Sequence, residues 1–241
     1  MHFVLQENKK WDQAHLTVEV SIYDPFFKDL ESSPGSRSNK ISHLGYQQNI
    51  YWKAGELLVV ETSNDLGELL HFYYESGGDV ISVASQSKRI FSKMDILPHY
   101  FRFIVNRKEE WEKALQEVYV QGKEISLHHH RDFNVLYKVG DSQSEHFALI
   151  DSESFLLKEL QHTIQGDGKK YLIRIVFQTM TEYKELQYPK NTEYFLDDRL
   201  FKRVFIKSID SPAKIPLDSL RQKAVKWSNA RSATFQIDYT K

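Results

Sequence analysis

The chain contains no cysteine. That removes disulfides, thiolate zinc sites, iron–sulfur clusters and a cysteine nucleophile from consideration. Glycine (10) and proline (6) are scarce among 241 residues, which argues against turn-dense sandwiches, propellers and repeat arrays. No apolar run approaches the ~20 residues that span a bilayer as a helix. Residues 1–10 lack the apolar core of a secretory signal, so a cytoplasmic location is the default expectation. Phosphate-binding P-loops, dinucleotide-binding glycine fingerprints and nucleophile elbows are absent as well. Charge of one sign is also lacking, because the formal net charge is only -1.

What remains is an ordinary globular balance, 41% hydrophobic and 27% charged, with a high aromatic share of 13%. Fifteen Phe, 13 Tyr and 4 Trp suit a sheet-based core, since large flat side chains favour pleated, half-buried surfaces. Alternation is plain from His15 to Tyr23, where Leu16, Val18, Val20 and Ile22 share one face. Residues 28–43 read as a loop. Strand signals follow at 49–52, 56–62, 69–75, 80–84 and 100–105, with Asn64-Asp65-Leu66-Gly67 and Ser76-Gly77-Gly78-Asp79 as turns.

Helical spacing predicts three helices. Asn106 caps the first, Trp111, Ala114, Leu115 and Val118 form its stripe, and Gly122 ends it. The second covers about 152–164 behind the capping candidates Asp151 and Ser152. The third runs from Pro216 to about Asn229 with Leu217, Leu220, Ala224 and Trp227 inward. Further strands are expected at 133–139, 146–150, 170–178, 200–209 and 234–239. The fold class is therefore α+β, a mainly antiparallel sheet with about three helices. Two halves, 1–122 and 123–241, or one continuous domain, fit equally well.

The run Ser126-Leu127-His128-His129-His130-Arg131-Asp132 carries the densest chemistry. On an extended backbone His128, His130 and Asp132 project to one side, a start for a divalent-metal or acid–base site, and hence for a metal-dependent or acid–base enzyme. Gly122, His128-x-His130 and Gly140 resemble the first cupin motif, although Asn134 or Val135 stands where that motif has Glu and no second motif follows. His15-Leu16-Thr17 resembles one half of the paired His-x-Thr/Ser motif of two-histidine phosphodiesterases. Those enzymes use two copies, as base and acid across a phosphate. His43-Leu44-Gly45, His71-Phe72-Tyr73 and His146-Phe147-Ala148 all lack the second hydroxyl. Asp151, Glu153, Asp197 and Asp198 lack the lysine spacing of a metal-dependent nuclease, and capping or a turn accounts for them.

The second functional expectation is electrostatic. Residues 199–231 hold nine Lys/Arg against two Asp, net +7, which leaves -8 for the rest of a chain of net -1. Lys202, Lys207, Lys214, Lys223 and Lys226, near Tyr183, Tyr188, Tyr194 and Trp227, supply cations and stacking surfaces of the kind that bind nucleic acid or another anion. Lysines on strand and helix exteriors are equally the ordinary solvated face. The reading is an intracellular interaction protein whose basic surface meets nucleic acid or another anionic macromolecule, with a protein partner as the alternative.

Overall fold

A computed structural model describes residues 13–23, 43–53, 56–84, 108–117, 120, 124–129, 135–140, 145–166, 169–184, 186–210 and 215–230. The strands are β1 (Gln13–Tyr23), β2 (His43–Lys53), β3 (Leu57–Ser63), β4 (Leu69–Ser76), β5 (Asp79–Ala84), β6 (Ile125–His129), β7 (Val135–Gly140), β8 (Phe147–Asp151), β9 (Leu157–Gly166), β10 (Lys169–Tyr183), β11 (Leu186–Leu196) and β12 (Arg199–Asp210). They hydrogen-bond in the order β5-β4-β3-β2-β1-β12-β11-β10-β9-β8-β7-β6. Two helices occur among the described residues, α1 (Lys108–Glu117) and α2 (Leu217–Ala230). No described helix is long and apolar enough to cross a membrane.

The expected helix count is corrected by the segment 152–164. Asp151 does cap, but it caps a hairpin turn: its Oδ1 accepts from the Glu153 and Ser154 amides at 3.2 and 2.8 Å and from Ser154 Oγ at 2.7 Å. Phe155 adopts a positive φ of 56°, and the chain reverses into β9. The register slips between Leu149 and Ile150, so Glu159 opposes Leu149 while Leu157 opposes Ile150. Lys158 is the extra residue of a bulge. The inward residues therefore fall at 157, 160 and 162, an alternation broken once at the bulge. The segments 100–105 and 234–239 lie outside the described residues.

The chain divides into two compact units. One holds β6 to β11, α1 and the first part of β12. Here the hairpins are tight: Asp197 and Asp198 both have positive φ (46° and 62°), the backbone that a two-residue β11–β12 turn demands. Asp197 also anchors to β10, its Oδ1 accepting from the Leu172 amide at 2.9 Å. In α1, Trp111 and Leu115 are fully buried.

The other unit holds β2 to β5, most of β1 and α2. One face of β3 and β4 presents Leu57, Val59, Phe72 and Tyr74, and α2 lays Leu220 and Ala224 against them with Ile215. Ion pairs Lys223–Glu61 and Arg221–Asp79 fasten the helix at its polar margin. The opposite face buries Ile50, Val60 and Tyr73 together with the polar pairs Gln48–Thr62 (3.3 Å) and His71–Ser82 (2.9 Å). On β1, His15 stacks on Tyr51 at 4.3 Å, and Thr17 donates to Asn49 at 3.3 Å. The His-x-Thr pair is thus engaged in cross-strand packing.

Burial lowers the His71 pKa from 6.5 to about 4, so the folded state keeps this ring neutral where the unfolded chain protonates it. The stabilisation is complete above pH 6.5 and drains away as pH falls towards 4. Urea unfolding at pH 5 is expected to lose about 2 kcal/mol relative to pH 7 through His71, and a His71→Asn variant to lose correspondingly less. A second prediction concerns Gly140. Its φ is +143°, and a Cβ there would meet the His146 carbonyl oxygen at 2.6 Å. Gly140→Ala should cost about 3 kcal/mol in thermal or urea unfolding, against about 1 kcal/mol for Gly67→Ala, where φ is +80° in open space.

Candidate functional site

In the unit containing β6 to β11, antiparallel pairing places directly opposed residues on the same side of the sheet. Six registers then link into one transverse row. Lys202 opposes Tyr194, Tyr194 opposes Ile175, Ile175 opposes Leu160, Leu160 opposes Ala148, Ala148 opposes Val139, and Val139 opposes Ile125. Flanking rows add Ile173 and His162 on one side and Thr192 and Phe177 on the other. All of these are buried except the last of the main row. Ile125 is 58% exposed and its strand-mate Leu127 is 64% exposed, on β6, the terminal strand of the sheet.

On the opposite face, β10, β11 and β12 carry polar side chains that bond to one another. Arg203 donates to Glu193 from Nε at 3.0 Å and Nη2 at 2.5 Å, and Gln178 donates to Glu193 at 2.8 Å. Hydrogen bonding to Glu193 holds the guanidinium above its ordinary pKa. Arg174 lies over the Phe195 ring at 4.3 Å, within 3.8 Å of Glu159 and 3.5 Å of Asp198.

Among the described buried residues of this face, a lysine and a histidine interrupt the apolar surface. Lys202 is only 4% exposed, with Nζ 4.7 Å from the Tyr194 ring centre. His162 is 3% exposed; burial first, and the neighbouring His146 second, lower its pKa to about 4. His146 itself hydrogen-bonds Thr163 at 2.7 Å.

The residues singled out from sequence are placed as follows. His128 and His129 are exposed on β6, on opposite sides of the strand, with His129 on the side of Ile125 and Leu127. His130 and Asp132 lie outside the described residues, so the metal set as a whole does too. Among the described residues, no group of three or more His, Asp or Glu could hold a metal ion. Lys207 is paired with Glu19 and Lys223 with Glu61, while Lys226 is exposed on α2. Lys214 lies outside the described residues. Lys202, expected on a cationic surface, is turned inward. The inward row itself was not found from sequence, though the alternation Lys202-Val204-Ile206 was the signal for it.

No protein-family model and no curated protein sequence matches this chain. Solved structures do. A LolA superfamily protein from Nitrosomonas europaea superposes with a TM-score of 0.54 at 10% identity, covering 91% of this chain and 96% of its own. A domain assigned to outer membrane lipoprotein sorting, from Vibrio parahaemolyticus, gives 0.51 at 8% identity, covering 92% and 97%. A DUF1329 family protein from Desulfovibrio piger gives 0.52 at 10% identity, covering 92% and 96%. This likeness overturns the expected cytoplasmic, intracellular protein with a nucleic-acid partner. The chain is similar in fold to LolA superfamily and lipoprotein-sorting structures.

Proposed function

We propose that the protein is a carrier of acyl-chain ligands, a lipid or the lipid part of a lipoprotein, working in the cell envelope of a bacterium. The observation that carries this reading is the row of buried apolar side chains, Tyr194, Ile175, Leu160, Ala148 and Val139, that ends in the exposed Ile125 and Leu127. Acyl chains need contact with dry, non-directional apolar surface, about 25 cal/mol for each Å² withdrawn from water. A sheet whose successive strands all turn such residues the same way offers that surface without breaking a backbone hydrogen bond. The open end on β6 gives a tail a place to enter.

Similarity of fold to a domain assigned to outer membrane lipoprotein sorting supports the same ligand class and the same compartment. The polar outer face, with its ion pairs satisfied among themselves, suits a carrier that stays in water while loaded.

The test is titration with a naphthylamine-type fluorophore that brightens in apolar surroundings. Saturable enhancement, reversed by a long-chain lipid, is the expected result, and a flat titration contradicts the proposal. Ile125→Asp with Leu127→Asp, at positions already exposed, should leave the unfolding temperature within a few degrees and slow probe uptake several-fold.

A further inference from the structure

We infer that the margin of the sheet at β6 and β7 docks on the surface of a lipid bilayer, with Ile125, Leu127, Tyr137 and Phe155 entering its interfacial layer. This inference rests on the carrier reading above and names the partner that meets the open end of its apolar row.

Two rows of opposed residues run out to this margin on the same side of the sheet. One passes from Ala148 through Val139 to Ile125, the other from Leu157 through Ile150 and Tyr137 to Leu127. Both begin buried and end in water, since Ile125 is 58% and Leu127 64% exposed. Tyr137 is half-buried, and its ring stacks on that of Phe155 with centroids 6.3 Å apart and planes within 12°.

Phe155 is held there against its own backbone preference. Its φ of 56° lies in the left-handed region, which a bulky side chain rarely adopts. The turn around it enforces that geometry. The Phe155 amide donates to the Asp151 carbonyl at 3.0 Å, the Asp151 amide to the Leu156 carbonyl at 2.9 Å, and the Ser152 amide to the Val135 carbonyl at 3.2 Å. The Asp151 carboxylate accepts from the amides of Glu153 and Ser154. A firmly tied turn thus brings an aromatic ring to the margin where β6 already presents two aliphatic side chains.

The charge around this margin selects the partner. On this side β6 and β7 carry Ile125, Leu127, His129, Val135, Tyr137 and Val139, with neither lysine nor arginine among them. Glu124 precedes Ile125 and Glu153 lies in the turn of Phe155, both exposed. Such a border does not attract an anionic surface, whereas zwitterionic headgroups accept it. Tyrosine and phenylalanine suit the headgroup layer, where rings find apolar contact and a hydroxyl finds water. A bilayer seated here also brings its hydrocarbon to the end of the row. A tail then passes between the two without crossing water, where each exposed methylene weighs about fourfold against transfer.

The experiment floats the full chain on a density gradient with vesicles of phosphatidylcholine, alone or mixed with phosphatidylglycerol. Wild-type protein should rise with the neutral vesicles, and no better with the anionic ones. Phe155→Gly, which suits the positive φ while removing the ring, should lower vesicle partitioning at least about fivefold, and Leu127→Asp about tenfold. Phe155→Gly should leave the fluorophore titration in solution unchanged, because Phe155 lies outside the row. Partitioning that is absent from neutral vesicles, or equal in wild type and both variants, overturns the docking and leaves the carrier reading standing while the fluorophore still saturates. A flat fluorophore titration overturns the carrier reading and this inference with it. Concentration-dependent dimerisation abolished by Leu127→Asp, in protein that does not float, assigns the margin to a second copy and overturns the bilayer. Should Phe155→Gly not fold, Leu127→Asp at its exposed position decides the matter.

Discussion

Antiparallel pairing with a period of two is the constraint from which everything else follows. Once β10 pairs with β9 and β11, the side of the sheet reached by Ile175 is also the side reached by Leu160 and Tyr194. A slip of one residue in any register would exchange that side with Val176, Glu159 and Glu193, carrying carboxylates into the interior. The hairpin turns guard against such slips. The paired positive φ angles at Asp197 and Asp198 permit only a two-residue connection, and the Asp197 carboxylate hooks the turn to Leu172 on the next strand. The bulge at Lys158 acts in the same way, because it restores inward parity to Leu160 and His162 after Leu157.

Much of this was legible beforehand. Strand signals located β1, β3, β4, β10 and β12, and the stripes Trp111-Ala114-Leu115 and Leu220-Ala224 located α1 and α2. The failures have specific causes. Asp151 and Ser154 make the same hydrogen bonds at a hairpin that they would make at a helix start, and the bulge breaks the alternation of β9 between Leu157 and Leu160. Lys202 was misplaced for a different reason. Along β12 lysines and arginines occur on both parities, so charge alone cannot say which side is dry. Only the pairing of Lys202 with Tyr194 does so. His128 and His129 drew attention by density, yet the histidines with shifted pKa values, His71 and His162, stand singly in apolar strands where the sequence gives no hint of their burial.

The distribution of polar groups ties the fold to the proposed role. The outer face joins its charges into small closed groups, Glu193 with Arg203 and Gln178, and Arg174 with Glu159, Asp198 and Phe195. Among the described buried residues of the inward row and its flanks, the polar groups are a neutral histidine, a threonine, a tyrosine hydroxyl and one lysine.

The most direct test of the central claim is to ask which side of the sheet an acyl chain touches. A long-chain fatty acid bearing a mid-chain diazirine, irradiated with the protein and mapped by mass spectrometry, should label Ile175, Leu160, Ala148 or Val139. Adducts confined to Val176, Glu159 or Arg174, or no adducts above those with a folded control protein, would contradict it.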